Sequence, residues 1–329
     1  MLKGKKVLIT GAGGFIGSHM VEYLVEHEAK VRALVKYNGR GDLGMLSDVS
    51  KDVRESIEII MGNICDPFFM RKAVEGCDYV FHLAALIGIP YSYVAPNDYV
   101  SVNIQGTVNI LEACRDAQTP RLVTTSTSET YGTAQYIPID EKHPLQGQSP
   151  YAASKIGQDK MVESYYRSFG MPVVTVKFFN TFGPRQSARA FIPTVISQAI
   201  ACDKLRIGSL EPIRDMTYVK DSVEGYVKVG LCDKVIGQEV NLGMGKGDTV
   251  GKIVERILKI MGKENLPIVH DPARIRPVKS EVMELISDNS IARKVCGWEP
   301  KYSLDDALKE TIEWIRKNID LFRPDEYMI

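Results

Sequence analysis

The chain has 329 residues, 44% of them hydrophobic, enough for a large core spread over about two lobes. Lys plus Arg and Asp plus Glu stand at 41 each, so no net field draws nucleic acid or an anionic membrane. No apolar run approaches the ~20 residues that a membrane-spanning helix needs, and six scattered cysteines with five histidines lacking ligand spacing argue for reduced thiols in a cytoplasmic protein without a structural metal.

The opening stretch MLKGKKVLIT runs straight into a strand, which is not the pattern of a signal peptide. Short apolar runs predict strands at 5–10, 30–35, 56–62, 78–84, 121–126 and 172–179. Helical periodicity predicts helices near 15–28, 67–75, 98–117 and 150–169. Several strands are apolar almost throughout, as parallel strands covered on both faces are. The alternation implies an α/β fold with a doubly wound parallel sheet and right-handed crossovers. After Phe179 the pattern loosens, and helices near 190–201, 249–261 and 303–318 are separated by irregular polar stretches.

VLITGAGGFIGSHMVEYL reads strand, glycine-rich turn, helix, with Gly11, Gly14 and Gly17 spaced by three. Such a turn lets backbone N–H groups approach a pyrophosphate at a helix N-terminus, where the dipole favours anions. The segment from Gly11 through Gly14, Phe15 and Ile16 to Gly17 is therefore the expected dinucleotide cradle. We expect a dinucleotide-binding Rossmann domain over 1–180, a smaller substrate-binding cap over 181–329, and part of 217–243 returning to the first domain. NAD-selective folds often place an acid at the end of the second strand. VRALVKYNGRG instead offers Val35, then Lys36 and Arg40. Nothing there repels a 2′-phosphate, so the expected cofactor is NAD(P), with a lean to NADP; the alternative is that both cations are solvated surface charge.

YAASK puts Tyr151 and Lys155 four residues apart on one helix face. A phenol with a pKa of about 10 is a poor base at neutral pH. A nearby ammonium and a positive nicotinamide ring would stabilise phenolate, letting Tyr151 take a hydroxyl proton. Just before it, STSETYGT follows the apolar RLVTT. A core strand gains nothing from Ser126, Thr127, Ser128 and Glu129 in a row, since each polar group needs a partner. A reactive cluster of Thr127, Ser128 and Glu129 beside Tyr151 is the alternative to a solvated strand end.

Over nearly its whole length the chain resembles the extended short-chain dehydrogenases/reductases, the nucleotide-sugar epimerase/dehydratase family. The matching pieces are TGAGGFIGSH, HLAA, VNIQGTVNILEA, STSETYG, YAASK, NTFGPRQ, RDMTYVKD and GWEPKYSLDDALKETIEW. The resemblance implies adenine contacts at Asn63 and Ile64, cofactor contacts at Leu83, Ala84, Ala85 and Asn103, and a ribose contact from Lys155. It implies a nucleotide-diphosphate sugar gripped by Asn180, Arg185, Arg214, Arg276 and Glu281. Thr-Ser-Glu before the tyrosine resembles the 4,6-dehydratase pattern of the GDP-mannose type. That implies C4 oxidation, water loss across C5 and C6, and hydride return. The alternatives are a nucleotide-sugar 4-epimerase and a UDP-glucuronate decarboxylase, although the latter usually shows Tyr-Asp-x-x-Lys. ALIGIPYSYVAPNDY and GPRQSARAFIPT resemble the branch acting on nucleotide-linked N-acetylglucosamine, exemplified by the dehydratases of legionaminic acid synthesis, which implies GDP- or UDP-N-acetylglucosamine and surface-polysaccharide biosynthesis. The helices near 98–117 and 150–169 resemble those that build a homodimer.

Overall fold

The computed structural model describes residues 2–275 and 277–327. Its centre is one parallel sheet of seven strands: β1 (Lys6–Thr10), β2 (Lys30–Lys36), β3 (Glu58–Gly62), β4 (Tyr79–His82), β5 (Arg121–Thr127), β6 (Val173–Phe178) and β7 (Glu239–Leu242). The spatial order is β7-β6-β5-β4-β1-β2-β3, with every neighbour pair parallel. The doubly wound α/β expectation holds. The chain winds outward from β1 to β3, then starts again on the other side with β4. The switch lies between β1 and β4, where Thr10 is in register with His82. Open α/β sheets bind ligands at such a point, beyond the carboxyl ends of the strands.

Both faces of the sheet are covered. On one, α1 (Phe15–Glu26) and the later α6 (Val219–Gly230) share a core with Val7 and Ile9 of β1. On the other, α2 (Pro67–Val74), α3 (Gly106–Asp116) and α4 (Pro150–Phe169) share a core with Leu8. The alternation of Val7, Leu8 and Ile9 between two cores explains why β1 is apolar at successive positions rather than every second one. β7 is absent from the predicted strands because EVNL is too short and too polar to show a period.

The part of the chain expected as the cap holds α5 (Phe191–Ala201), α7 (Val250–Met261) and α8 (Leu304–Lys317), with several two- or three-residue strands. Ile213–Arg214 sits between Asp248–Thr249 and Glu284–Leu285, and Met216–Tyr218 pairs with Asn180–Phe182. Buried Asp215 ties these pieces together, accepting from the N–H groups of Met244, Gly245 and Ser287 and from the Ser287 hydroxyl.

The expected single helix over 98–117 is interrupted. A turn at Pro96–Tyr99 leads into a π-helical stretch, Val100–Gln105, before α3 begins. Asn103 lies within this stretch. Its side chain accepts from Leu86 N–H (2.8 Å) and donates to Leu86 C=O (3.0 Å) and Ser154 Oγ (2.9 Å). π-bulges occur frequently at functional sites.

Candidate active site

The polar end of β5 has a partner for each of its hydroxyl side chains. Thr124 meets Thr175 across the sheet at 2.9 Å. Thr125 donates to the Tyr226 hydroxyl at 2.8 Å. Ser126 donates to Asp159 Oδ2 at 2.5 Å. Thr127 hydrogen-bonds Tyr151 and also caps the short 3-10 turn Ser128–Tyr131, accepting from Glu129 N–H. Ser128 is buried in that turn and Glu129 is half-buried. Gly132 ends it at φ +63°, where a Cβ would lie 2.7 Å from the Gln146 side chain. The hydroxyl run is thus partnered inside the protein rather than left as a solvated strand end.

Helix α4 presents Tyr151 in its first turn because it starts there firmly: Ser149 accepts from Ala152 N–H, Pro150 occupies the first helical position, and Gly170 closes the other end in the left-handed region. Lys155 follows one turn later and is buried. Its Nζ donates to Thr125 C=O and Gln158 Oε1, both at 2.6 Å. Burial drives its pKa down to about 8, opposed by Asp159 and helped by Lys177. Tyr151 moves the other way. Burial pushes its pKa up, Thr127 opposes the rise, and the Glu129 carboxylate adds to it. In the protein by itself desolvation of the phenolate governs the direction; the lowering expected from a neighbouring ammonium and a positive nicotinamide ring concerns the state with cofactor bound. Tyr99 packs edge-on against Tyr151, with centroids 6.2 Å apart, and its hydroxyl is held by Gly88 C=O at 2.5 Å.

The glycine turn is packed as tightly as a phosphate cradle must be. Gly11 has φ +72°, and a Cβ there would lie 2.8 Å from Ala84 N. A Cβ on Gly17 would lie 2.2 Å from Gly11 C=O. Gly14 is the N-cap of α1 and brings no side-chain acceptor to the amides of the first turn that holds Phe15, Ile16 and Gly17. Backbone amides of the turn thus line the switch point, which fits a dinucleotide pyrophosphate. Leu83, Ala84 and Ala85 run beside it, Leu83 N–H on Thr10 C=O and Ala84 N–H on Thr10 Oγ1. Ile64 is buried; Asn63 is exposed and folds its side chain onto Cys65 N–H. Lys36 ends β2 and Arg40 lies on the following loop, which Asn38 organises; both are exposed.

A buried chain links this cradle to Tyr151, through Asn103 and through Thr10, His82, Thr107 and Ser154, which sequence reasoning missed. Thr10 Oγ1 lies 2.8 Å from His82 Nδ1, and His82 Nε2 lies 2.9 Å from Thr107 Oγ1. Thr107 donates to Asn103 C=O at 2.7 Å. Asn103 reaches Ser154, which donates to Tyr151 C=O. Burial and the Lys155 charge hold the His82 pKa down at about 3, so the ring is neutral. Since Thr107 donates onward, His82 donates to it from Nε2 and accepts from Thr10 at Nδ1. The HLAA segment displays this histidine, but no spacing ties residue 82 to 10 or 107.

On the cap side the sequence expectations divide. Asn180 lies on the short strand paired with Met216–Tyr218, its Oδ1 buried without a hydrogen-bond partner. Arg214 and Glu281 come together, Nη2 to Oε1 at 3.0 Å. Arg185 is not brought to them. Held at φ +67°, it is buried against α1, hydrogen-bonded to His19 and ion-paired with Glu22. Arg276 lies outside the described residues. A cavity of about 370 Å³ in the cap is lined by Arg214, Met216, Tyr218, Lys246 and Tyr302, and not by Tyr151.

The family described as GDP-mannose 4,6 dehydratase matches residues 8–311. The chain belongs to this nucleotide-sugar dehydratase and epimerase family. Among its relatives, the dTDP-D-glucose 4,6-dehydratase of Homo sapiens is 31% identical over 330 residues, covering 95% of this chain and 91% of that one. The crystal structure of DesIV, a dTDP-glucose 4,6-dehydratase from Streptomyces venezuelae with NAD and TYD bound, aligns with TM-score 0.88 and 27% identity over 97% of this chain and 99% of that one. The UDP-N-acetylglucosamine 4-epimerase from Methanobrevibacter ruminantium M1, in complex with UDP-N-acetylmuramic acid, aligns with TM-score 0.87 and 28% identity over 96% and 99%. Within the family, then, both dehydratases and epimerases share this architecture, and the lean to NADP finds no support in a neighbour that carries NAD.

Proposed function

We propose that this member of the family is a nucleotide-sugar 4,6-dehydratase, acting on GDP- or UDP-N-acetylglucosamine with a recycled nicotinamide dinucleotide. The observation that carries the reading is Glu129: a half-buried carboxylate on the Ser128–Tyr131 turn, close enough to Tyr151 to raise its pKa. A 4-epimerase needs no such acid. Gly11, Gly14, Gly17 and the 83–85 edge would hold the dinucleotide, and Lys155 its ribose. When bound, that cofactor supplies hydride acceptance from C4 and hydride return to C6. Tyr151 takes the C4 hydroxyl proton, with Thr127 bonded to the same oxygens. Oxidation at C4 acidifies the C5 proton, and Glu129 removes it. The C6 hydroxyl leaves as water, protonated by the Glu129 acid or through Ser128. Asn180 and Arg214 grip the diphosphate. The reading includes a homodimer through the 96–116 helical stretch and α4, which expose Val100 and Phe169, in a reducing cytoplasm suited to six free thiols.

The test is mass spectrometry of the protein incubated separately with GDP-GlcNAc, UDP-GlcNAc, GDP-mannose and UDP-glucuronate. A product lighter by one water from an N-acetylglucosamine nucleotide is expected. Unchanged mass with inverted C4 stereochemistry by NMR means an epimerase, and CO₂ from the uronate means the decarboxylase. Either replaces the dehydratase reading.

A further inference from the structure

Behind Lys155 the sheet and α4 enclose charges that substrate does not need. Asp159, one helical turn beyond Lys155, is buried, takes the Ser126 hydroxyl on Oδ2, and lies 3.6 Å from the Lys177 ammonium. Lys177 comes from the middle of β6, its side chain fully buried, and reaches Glu239 of β7 at 2.7 Å and Thr130 Oγ1 at 3.2 Å. The Tyr131 ring lies beneath its Nζ at 4.6 Å. Asp159 Oδ1 is buried without a hydrogen-bond partner. Isolated buried charges cost several kcal/mol each, and a plain hydrophobic filling would serve the fold at least as well. This cluster instead touches the floor of the site twice, through Ser126 on the strand before Thr127 and through Thr130 on the Glu129 turn.

We propose that Asp159 and Lys177 are positioning residues that set the charge state of Lys155 from behind, Asp159 holding the ammonium form and Lys177 opposing it. The inference rests on the reading of Lys155 as the partner of Tyr151 and of the cofactor ribose. Burial alone favours the neutral amine, and Thr125 C=O and Gln158 Oε1 are neutral acceptors. Other titratable groups also face the cluster. His82 on β4 is neutral, and burial keeps Tyr131 in its phenol form. Glu129 faces Tyr151, while Glu239 and Lys160 face Asp159 from the outer side. Asp159 acts on Lys155 more strongly than Lys177 does, so the balance leaves Lys155 titrating at about 8. With Asp159 replaced by Asn, Lys155 loses its counter-charge and deprotonates at lower pH. With Lys177 removed as well, part of that drop is recovered.

The experiment follows Lys155 directly, by the 13Cε shift of lysine-labelled protein, with Lys155→Arg assigning the signal. It needs no substrate, so it stands or falls separately from the dehydratase reading. Asp159→Asn is expected to lower the midpoint by about one pH unit, and Asp159→Asn with Lys177→Met to recover part of the shift. If a substrate has been found, the basic limb of kcat/KM moves with the midpoint, which mere damage to packing would not produce. A midpoint unchanged in Asp159→Asn, or a double variant lower than the single one, overturns the proposal. Should the single variant not fold, the double variant decides alone: a midpoint below the wild type supports the proposal, and one at or above it overturns it.

Discussion

The two walls of the cleft are built on different terms. On the sheet side, the side chains of the site are braced by residues remote in sequence: Thr10 by His82, Asn103 by Leu86 and Ser154, and Ser126 by Asp159. On the cap side, Arg214 is paired with Glu281, another residue expected to face the ligand. The first arrangement fixes geometry before any ligand arrives, which is what proton transfer over hydrogen-bond distances requires. The second leaves charges that a ligand phosphate can take over by exchange. In the proposed reaction, chemistry falls to the wall that is braced, and recognition to the wall that can trade partners.

Substitutions can test that division. Tyr151→Phe removes the proton acceptor of the braced wall. It should reduce kcat by about a thousandfold with the melting temperature kept; a loss under tenfold would move the chemistry elsewhere. Glu129→Gln should slow water loss by about a hundredfold, read by product mass, whereas unimpaired turnover would return the chain to the 4-epimerase reading. Arg214→Ala belongs to the exchanging wall and should raise KM about tenfold with kcat nearly kept; a fall in kcat alone would make the contrast between the walls untenable.

The bracing should also show in acid. His19 and His82 both titrate at about 3 in the folded protein, against about 6.5 in an unfolded chain. Their folded pKa values are depressed, so the stability tied to neutral imidazole is present above about 6.5 and is lost as pH falls towards 3. Melting temperature should decline across that window, and His82→Gln should flatten the decline; an equal decline in the variant would remove His82 from the account. The smallest effect is expected from Lys36→Ala with Arg40→Ala. Both side chains are exposed, and NAD affinity should change by less than about twofold. A large loss of NADP affinity in the same variant would restore the lean towards NADP.

Much of the sheet wall was legible in the sequence because local rules govern it. Gly11, Gly14 and Gly17 after an apolar strand, and Tyr151 with Lys155 at helical spacing, carry their meaning within twenty residues. Thr127 and Glu129 were legible as an anomaly, polar groups at the end of a core strand. What stayed hidden depends on tertiary neighbours. His82 meets Thr10, and Thr107 meets His82, only after the sheet has wound past its switch point, and Asp159 meets Lys177 only across α4 and β6. The break at Val100–Gln105 was hidden for the same reason, since Asn103 within it bonds to Leu86, remote in sequence. Arg185 misled because a cation beside a Gly-Pro turn gives no sign that Glu22 lies next to it.

The buried chain from Ala84 to Asn103 has one more consequence. Ala84 N–H gives to Thr10, Thr10 to His82, His82 to Thr107, and Thr107 to Asn103 C=O. Every donor points the same way, from an amide that cannot give up its proton to a carbonyl that cannot keep one. A histidine in the middle of such a file suggests a proton wire. With both ends insulated it conducts nothing and acts as a strut, which leaves the protons of the proposed reaction to Tyr151, Glu129 and solvent.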